Sequence, residues 1–421
     1  MDIRLLAVGA TAIGMYALLS GRMSRSIITG PMFFAAVGVA VVAFGAGVEP
    51  TGDVTGVAEA ALEMTLALVL FTDAMATNIT SWREEGKLPS RLLMPGMPLI
   101  ILAGAIIAAG VFPDLDLVGA AIVATILAPT DAALGRPVVS NKRVPIRIRQ
   151  ALNIESGLND GIALPFLLFF IAIGEAEGGA NLGSLLLSAI GVAVVVGLAV
   201  GWVAARLVIA SSERGWIVPM WRQIAVIVVP VVTYVVADEL GGSGFIAAFV
   251  GGLMFGRLLL VAYPGIGDFA EDLAELLTMV AFMIFGGLLL QPRFGEFTWE
   301  MLLYALLSLT LVRILPVAIS MIGTDLRPPT LLYMGWFGPR GLASLIFAAI
   351  VIEEVDIPAT DLIVNIVVLT VALSILLHGI TAYRGSNAYA NWYEQQEDDH
   401  DEMHESKDVA SIKHRRRITR A

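Results

Sequence analysis

Long apolar runs separated by short polar turns make up most of the chain. Thirteen runs can be drawn, at about 3–20, 27–47, 57–80, 92–112, 116–135, 147–174, 182–210, 222–239, 243–261, 269–290, 298–322, 329–352 and 360–383. A hydrocarbon layer about 30 Å thick takes roughly 20 helical residues to cross, so these runs have spanning length. At that depth backbone groups find no water, and helices satisfy them internally. The pattern predicts an all-α polytopic membrane protein of about thirteen transmembrane helices. The first run, short and close behind Arg4, could instead be a signal peptide. No clear small-residue cleavage site precedes the basic GRMSRS turn, and retention is the reading adopted.

Charge in the turns orients the runs. Arg and Lys accumulate in cytoplasmic loops. Arg22 and Arg25, Arg83, Lys87 and Arg91, the stretch from Arg136 to Arg149, Arg206, Arg214 and Arg222, Arg257 and Arg327 therefore lie inside. Glu49 and Asp53, Asp114 and Asp116, Glu175 and Glu177, Asp238 and Glu239, and Glu353, Glu354 and Asp356 lie on the other side. An odd number of spans then puts the N-terminus outside and the C-terminus in the cytoplasm, as expected for a multi-pass protein of the cell membrane, plasma or inner. From about Gly385 the composition turns polar, and residues 385–421 are expected to form a disordered cytoplasmic tail. Its His400, His404 and His414 are read as solvated.

Composition agrees and narrows the chemistry. The 421 residues are 57% hydrophobic and 15% charged, too apolar for a water-soluble fold. The absence of Cys excludes disulfides, thiol catalysis and thiolate metal sites. No paired His and carboxylate metal set and no Ser/His nucleophile set is present, so an intramembrane enzyme is not expected. The runs GGLMFG at Gly251 and FGGLLL at Phe285 lie inside apolar segments. They fit close helix packing rather than a nucleotide loop, and no cofactor is expected.

What stands out against this background is Ile126 to Pro165, where two apolar runs carry Asp131, Glu155 and Asp160 around a basic loop. A charged, unpaired carboxylate in hydrocarbon costs several kcal/mol, so such acids face a protein interior or a water path and handle something charged. On a helix, Ser156 and Asp160 share one face, and Glu155 and Asn159 share the adjoining one. The first pair offers a hydroxyl and a carboxylate to a cation. The second contains an acid that needs a partner. A purely structural polar cluster is the competing reading, but such clusters are built mainly from Ser, Thr or Asn.

Pro129 in LAPTDAALG opposes a continuous helix and frees carbonyls of the preceding turn beside Thr130 and Asp131. Broken backbone at mid-membrane lines a cavity or is buried in protein, and its free carbonyls can bind a hard cation. A related pattern recurs in GWFGPRGLASLIF, with Pro339 followed by Arg340 instead of an acid. Two proline-broken helices in opposite-facing halves are the expected trace of inverted repeats crossing at the midplane. Arg340 is expected to form a buried ion pair with Glu155; the alternative is that it reaches to the cytoplasmic interface.

Thr130-Asp131 in a proline-broken helix, E-S-G-L-N-D ending at Asn159-Asp160, and G-P-R-G at Gly338 to Gly341 resemble the monovalent cation:proton antiporters of the NhaP type. Those proteins carry an Asn-Asp pair and are related to animal Na+/H+ exchangers. The resemblance covers about residues 1–384. It implies the NhaA/NhaP-like antiporter fold and a homodimer, with core helices at about 92–174 and 298–383 and dimerisation helices at about 1–80 and 182–290. It further implies an elevator-like core movement and a site in which Asp160 binds cation and proton in competition. Carried over, the ligands of Na+, or of K+ or Li+, are Asp160, Asp131, Ser156 and Thr130. Asn159 would hold the broken helices together. Asp73 in ALVLFTDAMATN would reach the site through water.

One titrating acid implies electroneutral exchange of one proton for one cation. A sodium-coupled symporter of an organic solute, or a cation channel, are the alternatives. Elsewhere, Glu271, Asp272 and Glu275 read either as an acidic funnel or as ordinary interfacial acids. Arg313, buried by position, requires an acidic or carbonyl partner, and His378 reads as a packed or interfacial side chain.

Overall fold

The computed structural model describes residues 3–23, 26–44, 52–77, 87–174, 182–260, 262–354, 359–396 and 403–406. Among these there are helices and turns and no strand. The helices are α1 (Ile3–Met23), α2 (Gly30–Phe44), α3 (Gly52–Ala76) and α4 (Lys87–Val111), the last with a π-helical turn at Leu92–Gly96. There follow α5 (Leu117–Ile126), α6 (Ala132–Ser140), α7 (Ile146–Gly174), α8 (Leu182–Glu213), α9 (Pro219–Glu239) and α10 (Gly244–Leu259). The remainder are α11 (Asp268–Arg293), α12 (Trp299–Leu309), α13 (Leu311–Ser320), α14 (Pro328–Trp336), α15 (Leu342–Glu354) and α16 (Thr360–Glu394). Seven described helices are long and apolar enough to cross a membrane. Every apolar run read from the sequence falls on a helix or on a helix pair.

The pairs arise where chain chemistry stops a helix. The N–H of Leu127 still bonds back to the Val123 carbonyl, but Pro129 has no N–H and disfavours helix at the residue before it, so the chain turns through residues 127–129 and reaches an extended Asp131 (φ −83°, ψ 122°). The second interruption has the same origin: α14 ends at Trp336, and Gly338-Pro339 carries the chain to α15. A third, milder break at Thr310 (φ −115°, ψ −89°) separates α12 from α13.

Packing is tightest where glycines let backbones meet. A methyl group at Gly252 or Gly256 of α10 would strike the backbone of Phe71 or Met75 on α3, and one at Gly286 of α11 would strike Ala35 on α2. The outward faces of α8 and α9 instead leave Leu187, Val195, Leu207, Val228 and Val235 exposed. Such contiguous apolar cover suits lipid rather than water.

The expectation for the polar tail is corrected by the structure. Residues 385–421 were expected to be disordered, yet α16 continues to Glu394. Its 35 residues extend roughly 50 Å at about 1.5 Å per residue, well beyond a hydrocarbon layer. The turn His404–Ser406 is also packed: Glu405 is 1% exposed and accepts from the Arg327 N–H (2.9 Å) and the Thr330 hydroxyl (2.7 Å). The start of α14 has Arg327 as its cap residue, whose side chain does not cap the helix but donates to Gln396 at 2.8 Å, and prolines in its first turn. A carboxylate from the tail satisfies that positive helix end. Polar composition concealed this because the buried apolar residues, Tyr389, Ala390 and Met403, are few and hydrogen bonds add to their docking.

The basic loop is tied to the end of α16 and to the turn beyond it. Arg143 binds Glu394 (2.7 and 2.9 Å) and Asn391, and Arg147 donates to the His404 carbonyl. Arg136 pairs with Glu275, which places that acid in an ion pair instead of a free funnel. His400 and His414, and the loop charges Arg25, Arg83, Glu49, Asp53, Glu175, Glu177, Glu353, Glu354 and Asp356, lie outside the residues or side chains described.

Candidate ion-binding site

The two broken segments meet directly. The Asp131 N–H donates to the Pro339 carbonyl at 2.7 Å, joining one break to the other across 208 residues of chain. Around this contact four helix ends converge: the last residues of α5 and α14 and the first of α6 and α15. At the end of α5, the Ile126 carbonyl accepts from Ser344 (2.7 Å), while the Ala128 and Pro129 carbonyls accept from Arg340 Nη1 (2.8 and 3.2 Å). Arg340 is fully buried, which rules out a reach to the interface. A cation belongs at a helix C-terminus, where carbonyls point out unpaired.

Asp131 answers the opposite ends. Its Oδ1 accepts from Leu134 N–H (2.9 Å) at the start of α6, and its Oδ2 accepts from Leu342 N–H (2.7 Å) at the start of α15. One carboxylate therefore caps two helices, its own and the one that begins at the other break. Gly341 makes this possible, since a methyl there would overlap the Asp131 carboxylate. Two sequence expectations change accordingly. The freed carbonyls at Ile126, Ala128 and Pro129 are bonded to Ser344 and Arg340, not left open for a cation. Asp131, expected beside the ion, already has both oxygens engaged by backbone.

The buried ion pair is also different from the one expected. Glu155 Oε1 lies 2.5 Å from Arg313 Nη1, not against Arg340, and both partners are almost fully buried. The guanidinium of Arg340 is drawn to the α5 carbonyls, whereas Arg313, one turn beyond the break at Thr310, reaches α7 across Gly338. A methyl at Gly338 would lie 2.5 Å from Arg313 Nε. The two glycines of G-P-R-G thus clear space for two different charged side chains. Arg313 gains the acidic partner that sequence alone left unassigned.

Asp160 remains. It is 8% exposed, and its Oδ1 has no hydrogen-bond partner. Asp131 and Asp73 are the charged groups that act on it. On the same face of α7, Ser156 Oγ lies 3.0 Å from Thr130 Oγ1 at the first break, and Asn159 Nδ2 donates to that same Thr130 oxygen at 2.6 Å. Gly157, between these positions, lies against Asp73 of α3, 3.6 Å separating a methyl placed there from the Asp73 Cβ. Thr130, Ser156, Asn159 and Asp160 are therefore gathered between the first break and α7, with Asp73 alongside.

Sequence reasoning missed Ser344 and Ser374, which hold the crossing from outside the motifs, and gave the two glycines of G-P-R-G no packing role of their own. Ser374 accepts from the Arg340 N–H at 2.7 Å. The one signal it left was its spacing of four from His378 on the last apolar run.

The chain is 26% identical over 378 residues to the K(+)/H(+) antiporter NhaP2 of Shewanella oneidensis, covering 88% of this chain and 64% of that protein. It is 25% identical over 316 residues to the K(+)/H(+) antiporter NhaP of Alkalimonas amylolytica, covering 75% of this chain and 54% of that one. The chain thus spans less than two thirds of the length of these relatives. A solved structure of the sodium proton antiporter MjNhaP1 from Methanocaldococcus jannaschii superposes with a TM-score of 0.77 at 22% identity, covering 93% of this chain and all of that one, which shows a shared fold. The family model described as "Sodium/hydrogen exchanger, transmembrane" matches residues 9–383, and the chain belongs to that family.

Proposed function

We propose that the chain exchanges a monovalent cation for a proton across a cell membrane, by alternating access, with Asp160 as the group that carries either one. The observation behind this reading is the contrast among its buried acids. Glu155 is neutralised by Arg313 and Asp131 is committed to two helix starts, while Asp160 has a buried oxygen with no hydrogen-bond partner and, among the described residues, only other acids as charged neighbours. A carboxylate that binds a proton covalently loses the charge that binds a cation, so the two ligands exclude each other at one site. Exclusive occupancy combined with alternating access is exchange.

Na+, K+ or Li+ would sit against Asp160 with the Ser156 and Thr130 hydroxyls, Asp131 lending its charge nearby and Asp73 acting through water. Asn159 positions Thr130 by its amide. A single titrating acid makes the exchange electroneutral, one proton per cation. The K+/H+ and sodium-proton activities named for the relatives support this class of transport. The remaining parts of the reading are thirteen crossings with the N-terminus outside, a homodimer, and a core of helices at about 92–174 and 298–383 moving against those at about 1–80 and 182–290.

The test is a pH-jump assay in proteoliposomes with Na+, K+ and Li+ in turn. Addition of at least one cation is expected to move protons in the opposite direction, with no response to an imposed membrane potential, and Asp160→Asn is expected to abolish it. Cation flux without counter-movement of protons would point to a channel, and flux only with an added organic solute to a symporter.

A further inference from the structure

On α16, Ser374 and His378 stand one turn apart and both are buried. They touch the second break at its two ends. His378 Nε2 lies 2.9 Å from the Trp336 carbonyl, at the last residue of α14, and the ring stacks on the Trp336 side chain with centroids 5.2 Å apart. Ser374 Oγ accepts the Arg340 N–H at 2.7 Å and lies 3.3 Å from His378 Nδ1.

Only one assignment of hydrogens satisfies this set with a neutral ring. A carbonyl can only accept, so Nε2 must carry the hydrogen toward Trp336. Nδ1 is then an acceptor, and the Ser374 hydroxyl, having taken the Arg340 N–H, has its own hydrogen to give to Nδ1. The Ser374 carbonyl, 3.0 Å from Nδ1, would receive a hydrogen only from a doubly protonated ring. The charged groups acting on that ring are Arg340 and Arg313, both cations. The neutral ring closes the set without adding a third positive charge.

We infer that His378 and Ser374 are positioning residues for the ion site, a clamp that sets the spacing of Trp336 and Arg340 and through them the place of Asp131. The inference rests on the antiport reading above. The route is short and continuous. His378 holds the end of α14, and Ser374 holds the Arg340 amide. Arg340 holds the α5 carbonyls, and its neighbours Pro339 and Leu342 hold the backbone and carboxylate of Asp131. Neither clamp residue touches the ion, so what they govern is the geometry of the acid beside it.

Two measurements on the full chain test this. Amide hydrogen exchange across residues 336–342 is expected to accelerate in His378→Ala and Ser374→Ala, with the rest of the crossing helices unchanged. In proteoliposomes, the half-saturating cation concentration is expected to rise by about tenfold in each variant, because a misplacement near 1 Å at a site is that costly or more. The double variant should be no worse than the worse single one, since both act through one chain of bonds. His378→Gln, which keeps a donor toward Trp336, should recover part of the affinity and serves where alanine impairs folding. Unchanged exchange at 336–342 in both His378→Ala and Ser374→Ala overturns the clamp whatever the transport result. A fall in maximal rate at constant half-saturation overturns it as well, because that is the effect of having less folded protein. A wild type that exchanges no cation counts against the proposed function, and the hydrogen-exchange result still decides the clamp.

Discussion

Arg313→Met is expected to leave little folded transporter, and Arg313→Met combined with Glu155→Gln to recover much of it. Arg313 and Glu155 are paired and almost fully buried. Removing one partner of such a pair costs about 3–5 kcal/mol, because the other charge stays desolvated, whereas removing both is close to neutral. Domains are stable by only about 5–15 kcal/mol, so a loss of this size shows as missing protein. Arg340→Met tests the partner assignment. It strips the α5 carbonyls of their donor but leaves Glu155 paired, so Glu155→Gln should not rescue it. Size-exclusion profiles and thermal melts of the detergent-solubilised variants read all of these. Rescue of Arg340→Met, and not of Arg313→Met, would assign the pair the other way.

Gly341→Ala is expected to damage transport more than its size suggests. The added methyl overlaps the Asp131 carboxylate, which must turn away from Leu134 and Leu342. Hydrogen bonds to a charged group contribute about 1.5–3 kcal/mol each, so two helix starts lose their cap in one step. A drop in exchange of at least tenfold, with a lower melting temperature, is the expected outcome of the assay in proteoliposomes. Gly135→Ala is the control: it lies in α6 with open space at its Cβ position, and should behave as wild type. If Gly341→Ala exchanged at the wild-type rate, the double cap on Asp131 would not matter to the site.

The architecture was largely legible in the sequence, and the wiring of the crossing was not. Apolar length alone located the helices, since hydrocarbon leaves no other way to satisfy a backbone. Pro129 and Pro339 located both breaks, because a missing N–H acts locally. Pairing is a different kind of information. Two arginines, Arg313 and Arg340, were available to Glu155, and the choice depended on which of them the α5 carbonyls had already drawn in. That Asp131 caps α15 could not be read from its own surroundings, because the helix it caps begins 211 residues away. The docking of Glu405 was hidden by composition, which speaks for burial through apolar area and is silent about a lone carboxylate seated on a helix end.

With Glu155 and Asp131 engaged in structural contacts, the proposed exchange rests on a single carboxylate. The most direct test is proton release on cation binding, measured by calorimetry of purified transporter in buffers of different ionisation enthalpy. At a pH where Asp160 is protonated in the empty site, about one proton is expected to be released per cation bound. Asp160→Asn should release none, and Asp131→Asn, if folded, should still release about one. Cation binding with no proton released by the wild type, or the same release from Asp160→Asn, would contradict it.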